Sequence, residues 1–393
     1  MSDNSFFKRI MRIMRREIWM FSRRPLFLFT MIVAPVVCLI LFMTLMDDGL
    51  PTKLPAGIVD MDNTKISRIA GRVLDSMQET DIVACYPDFS SAREAMARGD
   101  IYGFFFIPKG LTEDAIANRQ PRISFYTNDA YFVPASLLMK DMKYASELTG
   151  LALTRENLYG HGLNEREAMG VIQPIVIETH PLNNPYLNYS AYLNNIIVPG
   201  VLMLLVMICT TYTIGIEWKR GTQRGLYAMS GNSSSTALVG KLLPQTFIFS
   251  LMIVLYDVCF YRFWLFPCNC PLWHTMVLGI VSVLAAQAFG VFLFGAFAGQ
   301  MRLTMCLCSL WGILSFSISG FTYPLMAMDG PLQVLAWFFP LRHYYIIYVN
   351  HVLDGYSVAY VWQSVVAMLM FLLLPFTVLW RYRAAFLKIK YRP

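Results

Sequence analysis

Glu217-Trp218-Lys219-Arg220-Gly221-Thr222-Gln223-Arg224-Gly225-Leu226 is the densest run of chemically capable residues in a chain otherwise poor in them. A carboxylate, three cations and a hydroxyl between two glycines make a charged corner suited to gripping another polypeptide rather than to making bonds. Asp257 is the only acidic residue well inside an apolar run, where an ionisable group costs several kcal/mol unless paired or hydrated. It reads either as a titrating functional group or as half of a snorkelling pair with Arg262. Cys268 and Cys270 flank Asn269; spacing that tight rarely closes on itself, and no His or Cys pair elsewhere completes a zinc set, so no metal is expected. The other cysteines, apart from Cys85, fall in apolar runs and read as small apolar residues. His343 and His351 read as interfacial polar groups. There is no G-x-x-x-x-G-K-[ST] run, no nucleophile elbow, and no kinase or protease signature. The chain is therefore expected to be no enzyme and to bind no cofactor. If it moves a solute, the energy comes from a partner or from an ion gradient.

These residues sit in or beside two unequal hydrophobic blocks. Hydrophobic residues make up 56% and charged residues 15% of the chain, against about 25% charged in a soluble domain. No Lys, Arg, Asp or Glu occurs between Thr179 and Ile216 or between Phe263 and Met301, and roughly 20 uncharged apolar residues already make a bilayer-spanning helix. Six spans are predicted, at about 26–46, 193–216, 242–261, 273–298, 303–326 and 361–380. The fold class is an α-helical integral membrane protein of six spans, one and then five, with an extracytoplasmic α/β domain inserted after the first. Its divisions are an interfacial helix at 1–24, a first span at 25–46, the inserted domain at 47–190, a five-span domain at 191–380 and a basic tail at 381–393. Within the five-span domain, 217–241 is a polar loop, and 329–354 holds two apolar segments too short to cross, 332–339 and 341–352.

Orientation follows from the basic residues. Lys8, Arg9, Arg12, Arg15, Arg16, Arg23 and Arg24 precede the first span; Lys219, Arg220, Arg224 and Lys241 lie in the loop after the second; Arg381, Arg383, Lys388, Lys390 and Arg392 follow the last. The opposite loops offer only Arg262 and Arg342, so both termini are expected in the cytoplasm. The net charge of +7 thus reflects topology rather than nucleic-acid binding. The first span carries no small-residue cleavage site and reads as an uncleaved anchor. Before it, Phe7, Ile10, Met11, Met14, Ile18 and Phe21 recur at helical spacing among cations, as in a helix lying on anionic lipid.

The inserted domain alternates strands and helices. Strands are predicted at 56–59, 82–86, 102–107, 122–126 and 171–178. Helices are predicted from Asp62-Asn63-Thr64 to about 77, from Ser90 to about 99, from Thr112, and over 133–159. Nothing in it is placed for catalysis.

The acidic residue ending the second span, the Arg-Gly-Thr after it and the Gly240-Lys241 entering the third span resemble the ABC-2-type permeases of bacterial ABC exporters. So do Val59-Asp60-Met61-Asp62-Asn63-Thr64 with Ser67-Arg68, and Ile107-Pro108-Lys109-Gly110. Ser319-Gly320-Phe321-Thr322-Tyr323-Pro324 and Phe339-Pro340-Leu341 complete the resemblance, which spans the whole chain. One departure is that Gln223 and Arg224 stand where that family usually has an acidic residue. The resemblance implies a non-catalytic permease in the bacterial inner membrane, coupled to a separate ABC ATPase that holds ATP and Mg. It implies a coupling helix over 222–229 with Thr222 as its N-cap, contacted through Glu217, Arg220, Gly221, Thr222, Arg224, Gly225 and Leu226. Phe321, Pro324, Pro340 and His343 would belong to the outer gate. Membrane lipids, a second permease copy or paralogue, and a periplasmic adaptor where the host has an outer membrane are the expected partners; nucleic acid is not. The copies would meet at spans one, two and five, through Gly200, Gly312 and Ser315. The competing readings are an ion-driven secondary transporter resting on Asp257, and a membrane-anchored receptor or assembly factor.

Overall fold

The computed structural model describes residues 6–47, 49–117, 119, 122–173, 180, 182–185, 187–297 and 300–388. The chain divides into two compact units, Met1–Asp47 with Leu182–Pro393, and Asp48–Pro181.

In the first unit six helices are long and apolar enough to cross a membrane: Pro25–Leu45, Tyr189–Arg220, Ser234–Phe263, Leu272–Ala296, Met301–Ile318 and Val358–Leu387. The fifth ends well before the predicted 326. Gly320 takes φ +102 and the chain breaks there, although its apolar composition continues. The fourth span packs against the second and the sixth, and the fifth against the second. Two glycines explain that last contact. A Cβ on Gly200 would lie 2.5 Å from the Phe316 ring, and one on Gly312 would lie 2.4 Å from Leu204. Both are therefore used inside one chain, as is Ser315, whose hydroxyl donates to the Gly312 carbonyl. The expected seam between copies cannot run through them.

The N-terminal helix Phe6–Ser22 differs from its predicted face. Ile10, Ile13, Glu17, Met20 and Phe21 are buried, whereas Phe7, Met11 and Ile18 are exposed. The helix has an apolar side for the protein and a second one for its surroundings. Gly240 lets it approach the third span, since a Cβ there would meet Ile13 at 3.0 Å. The 329–354 stretch folds as the helices Gly330–Ala336 and Pro340–Ile347, the second continuing as a π-helical turn, Tyr348–Leu353.

The second unit holds a four-stranded sheet in the order β2-β1-β3-β4, where β1 is Leu54–Asp60, β2 Thr80–Cys85, β3 Gly103–Ile107 and β4 Ser124–Thr127. β1 runs parallel to β2 and β3, and β4 is antiparallel to β3. Alternation along the strands splits the core. Ile58, Phe105 and Ile107 pack with Ala70, Leu74, Leu138 and Met142 from helices Lys65–Asp75 and Phe132–Gly160. Val59 and Phe104 pack with Ala92 and Ala95 of helix Phe89–Arg98 on the opposite face. The predicted strand at 171–178 is corrected in part: 171–172 end the helix Glu165–Ile172, capped by Asn164, and 174–178 lie outside the described residues.

The two motifs singled out in this unit meet each other. The Asp62 carboxylate accepts from the Gly110 N–H at 2.9 Å and from the Thr112 hydroxyl at 2.7 Å. Burial pushes this carboxyl up, but the hydrogen bonds from Thr112, Thr64 and Gly110 outweigh it and hold Asp62 below the usual range. Thr64 caps helix Lys65–Asp75 through a capping box with Ser67. Within this unit, both motifs hold turns in place.

Candidate functional site

Four charged side chains converge where the second span ends. Glu217 is 1% exposed, and Arg16 Nη2 lies 2.9 Å from each of its carboxylate oxygens. Lys241 Nζ donates to Glu217 Oε1 and to Glu17 Oε2, both at 2.8 Å. Two carboxylates and two cations leave the cluster without net charge, which is how buried charges are tolerated. Burial pushes the Glu17 carboxyl above the usual range, and Lys241 works against that rise.

A fifth partner ties in the polar loop. Thr222 Oγ1 donates to Glu217 Oε2 at 2.5 Å. This corrects the expected N-cap: Thr222 stands at the N-cap position of helix Gln223–Met229, but its side chain makes no capping bond there. Gly221 ends the second span with φ +70 and returns its N–H to the carbonyls of Glu217 and Trp218. Gly225 is different from Gly221. It lies inside the short helix at negative φ, and a Cβ on it would meet nothing within 4 Å, so it is an open surface position rather than a hinge. Leu226 is buried with Tyr227, whose ring stacks on Phe386 at 5.4 Å. Arg220 and Arg224 are exposed, with Arg224 donating to the Leu387 carbonyl. Beside this helix, Met11, Arg12, Arg15, Trp19 and Met229 line an open groove of about 630 Å³.

The structure thus gathers Glu217, Gly221, Thr222, Gly225 and Leu226 at one joint, and it adds Arg16, Glu17 and Lys241. In sequence Arg16 reads as a membrane-flanking cation, Lys241 as one that also belongs to the Gly-Lys motif, and Glu17 carries no reading. A signal for Glu17 existed: it is the lone acid in a run of cations and falls seven residues after Ile10, in phase with the buried face.

The other expected residues lie elsewhere. Asp257 is 3% exposed, Arg262 is exposed, and no ion pair joins them, so the snorkelling pair is not formed. Asp257 Oδ2 has no hydrogen-bond partner among the described residues. Phe321 is buried, and its carbonyl accepts from the Tyr192 hydroxyl. Pro324 is exposed ahead of a single helical turn, Leu325–Ala327. Pro340 opens helix Pro340–Ile347, where a proline costs no hydrogen bond. His343 is fully buried, with Nε2 2.9 Å from the Trp337 carbonyl. One grouping was not expected from the spacing: the fold brings His274 and His351 to Cys270, with one potential ligand atom of each within 4.8 Å of the others.

A family model described as ABC-2 family transporter protein matches residues 25–381. No curated protein matches the chain.

Proposed function

We propose, because this chain belongs to the ABC-2 family of transporter proteins, that it is the non-catalytic membrane subunit of an ATP-driven exporter, coupled to a separate ATPase that holds ATP and Mg. In this reading it lies in the bacterial cytoplasmic membrane with both termini in the cytoplasm and the 48–181 unit outside. A second copy or a paralogue completes the path, with a periplasmic adaptor where there is an outer membrane. An apolar cleft of about 400 Å³ among the third, fourth and sixth spans supports an amphiphilic or drug-like substrate; its polar groups are few, among them Thr246 and Gln287.

The observation that carries the coupling is the joint at Glu217. One neutral, buried knot holds the N-terminal helix, the second span, the entry to helix Gln223–Met229 and the third span. A push on that short helix by a partner therefore reaches two spans together.

Gly225 supplies the test. A Cβ added at Gly225 meets nothing within 4 Å inside the chain, so a Gly225→Trp variant that inserts and purifies normally would exert its effect at the partner. The variant is expected to insert and purify as the wild type does. Substrate-stimulated ATP turnover of the co-purified ATPase should drop about tenfold or more, the equivalent of ~1.4 kcal/mol of docking free energy. Normal stimulation would show that the ATPase docks elsewhere. A second reading, ion-driven transport, rests on the buried and incompletely bonded Asp257. It requires transport that survives ATP depletion and stops with an uncoupler; the exporter reading requires the reverse.

A further inference from the structure

We propose that Cys268, Cys270, His274 and His351 form a binding site for a tetrahedral, thiophilic divalent cation, with zinc the ion whose chemistry it fits. The inference is independent of the transport role. Cys270 Sγ and one ring nitrogen each of His274 and His351 lie within 4.8 Å of one another. Cys268 Sγ lies outside that set: it stands 3.9 Å from Cys270 Sγ and 3.3 Å from the Cys270 carbonyl, to which its thiol donates, and it would turn from that carbonyl to become the fourth ligand. Zn–S bonds of about 2.3 Å at tetrahedral angles put two sulfurs about 3.8 Å apart, so the thiols already hold that spacing. His274 Nδ1 and His351 Nε2 share a hydrogen bond of 2.9 Å; two imidazoles on one zinc stand about 3.3 Å apart, so the ion would replace that bond with a small separation of the rings.

The surroundings support the set. His351 Nδ1 lies 2.7 Å from the Tyr356 carbonyl. A carbonyl only accepts, so Nδ1 carries the proton and Nε2 turns its lone pair to the site, the arrangement in which ligand imidazoles are held. Asn269, between the cysteines, donates its backbone N–H to the Val352 carbonyl at 2.7 Å and its side-chain amide to the Leu353 carbonyl. Those two bonds pin the Cys-Asn-Cys turn to the residues just after His351. Gly355 lets the chain close on it: φ is +72, and a Cβ there would meet Asn269 Cβ at 3.3 Å. On binding, each thiol releases its proton to water, and the His274 proton shifts from Nδ1 to Nε2 so that Nδ1 can face the ion. Two thiolates then neutralise a divalent ion, and two neutral imidazoles complete four ligands, leaving a partly buried centre without net charge. Soft sulfur and imidazole donors favour zinc over calcium or magnesium, which need oxygen. Once filled, the site would staple the loop after the third span and the start of the fourth to the turn after helix Pro340–Ile347.

The test uses the full chain in detergent, reduced, stripped with a chelator and titrated with Co(II), with Zn(II) as competitor. One Co(II) per chain is expected, with the visible absorption of tetrahedral thiolate coordination, and zinc should displace it. Cys270→Ser and His351→Gln should each weaken binding by more than the about 10–100-fold that loss of an outer hydrogen-bond partner costs. Cys308→Ser, a buried cysteine of the fifth span, should leave binding unchanged. Monodisperse elution shows that each variant is folded, and His351→Gln carries the test should a cysteine variant fail that check. Reduced, monodisperse wild type that takes up neither ion would overturn the proposal. So would variants that bind as well as the wild type, or a Cys268–Cys270 disulfide that resists reduction.

Discussion

Lys241 sits between two buried carboxylates, and deleting its ammonium would strand like charges where water is excluded. Lys241→Met is therefore expected to destabilise the protein by about 3–5 kcal/mol, read as a lowered thermal midpoint in detergent. Adding Glu17→Gln should recover part of the loss, because one stranded charge disappears with it. A Lys241→Met protein as stable as the wild type would mean that the knot does not hold the helices together. How far this site is legible in sequence differs by residue. Glu217 is visible because it closes a long uncharged run. Lys241 is visible as a charge but not as a partner, since a cation beside a span has the simpler reading of an orientation signal. Glu17 is hidden by its neighbours, because seven cations around the N-terminal helix dominate the pattern and burial cannot be inferred from polarity. Beside Cys270 the two imidazoles differ: His274 follows it by only four residues and is visible in the spacing, whereas His351 joins the cysteines only through the path of the chain across two further spans.

At the scale of elements, hydropathy located the six spanning helices but not all of their ends. The fifth span stops at Ile318 because of the Gly320 backbone, while the apolar composition runs on through Met328. Strand signals found β1 to β4 to within a few residues: β1 and β3 are apolar runs packed on both faces, whereas the edge strands β2 and β4 alternate half-buried and exposed positions. A titration in the 48–181 unit is open to direct test. Asp141 Oδ2 accepts from the Glu79 N–H and the Thr80 hydroxyl, while Lys140 pairs with the Glu79 carboxylate at 2.9 Å. Burial, with the Glu79 carboxyl beside it, pushes Asp141 up to about 6. The folded chain thus keeps a proton that the unfolded chain loses near pH 4. Stability from this group is complete below that point and disappears as pH rises through about 6. Thermal midpoints should accordingly show a falling component between about pH 4.5 and 6 in the wild type, and Asp141→Asn should flatten it. An unchanged slope would place the proton elsewhere.

For the whole molecule, orientation and assembly are the testable quantities. Cys85 is exposed in the 48–181 unit and provides a native reporter. An impermeant thiol reagent should label it in intact spheroplasts, with the increment lost in Cys85→Ser, while a cysteine placed at 6–8 should react only after lysis. Labelling of both from outside would invert or break the proposed topology. Native mass measurement of the purified complex should find two permease chains with two ATPase chains; an active complex with a single permease chain would refute the pairing. Since Gly200 and Gly312 are consumed within the chain, a pairing surface must use exposed faces such as Leu310, Ile313 and Leu314 of the fifth span or Ile40 and Leu41 of the first.

The neutrality of the knot at Glu217 separates two kinds of electrostatics by their response to ionic strength. Mobile ions screen exposed charges within about 10 Å at 0.1 M salt but act much less on a balanced, largely buried cluster. Arg220 and Arg224, both exposed, would feel added salt, whereas the buried Glu17, Glu217 and Lys241, with the half-buried Arg16 beside them, would hold their geometry through it. In the proposed complex, raising the salt concentration would then dissociate an ATPase docked on those two arginines while leaving the receiving joint intact, so that returning to low salt would restore coupling without any refolding of the permease.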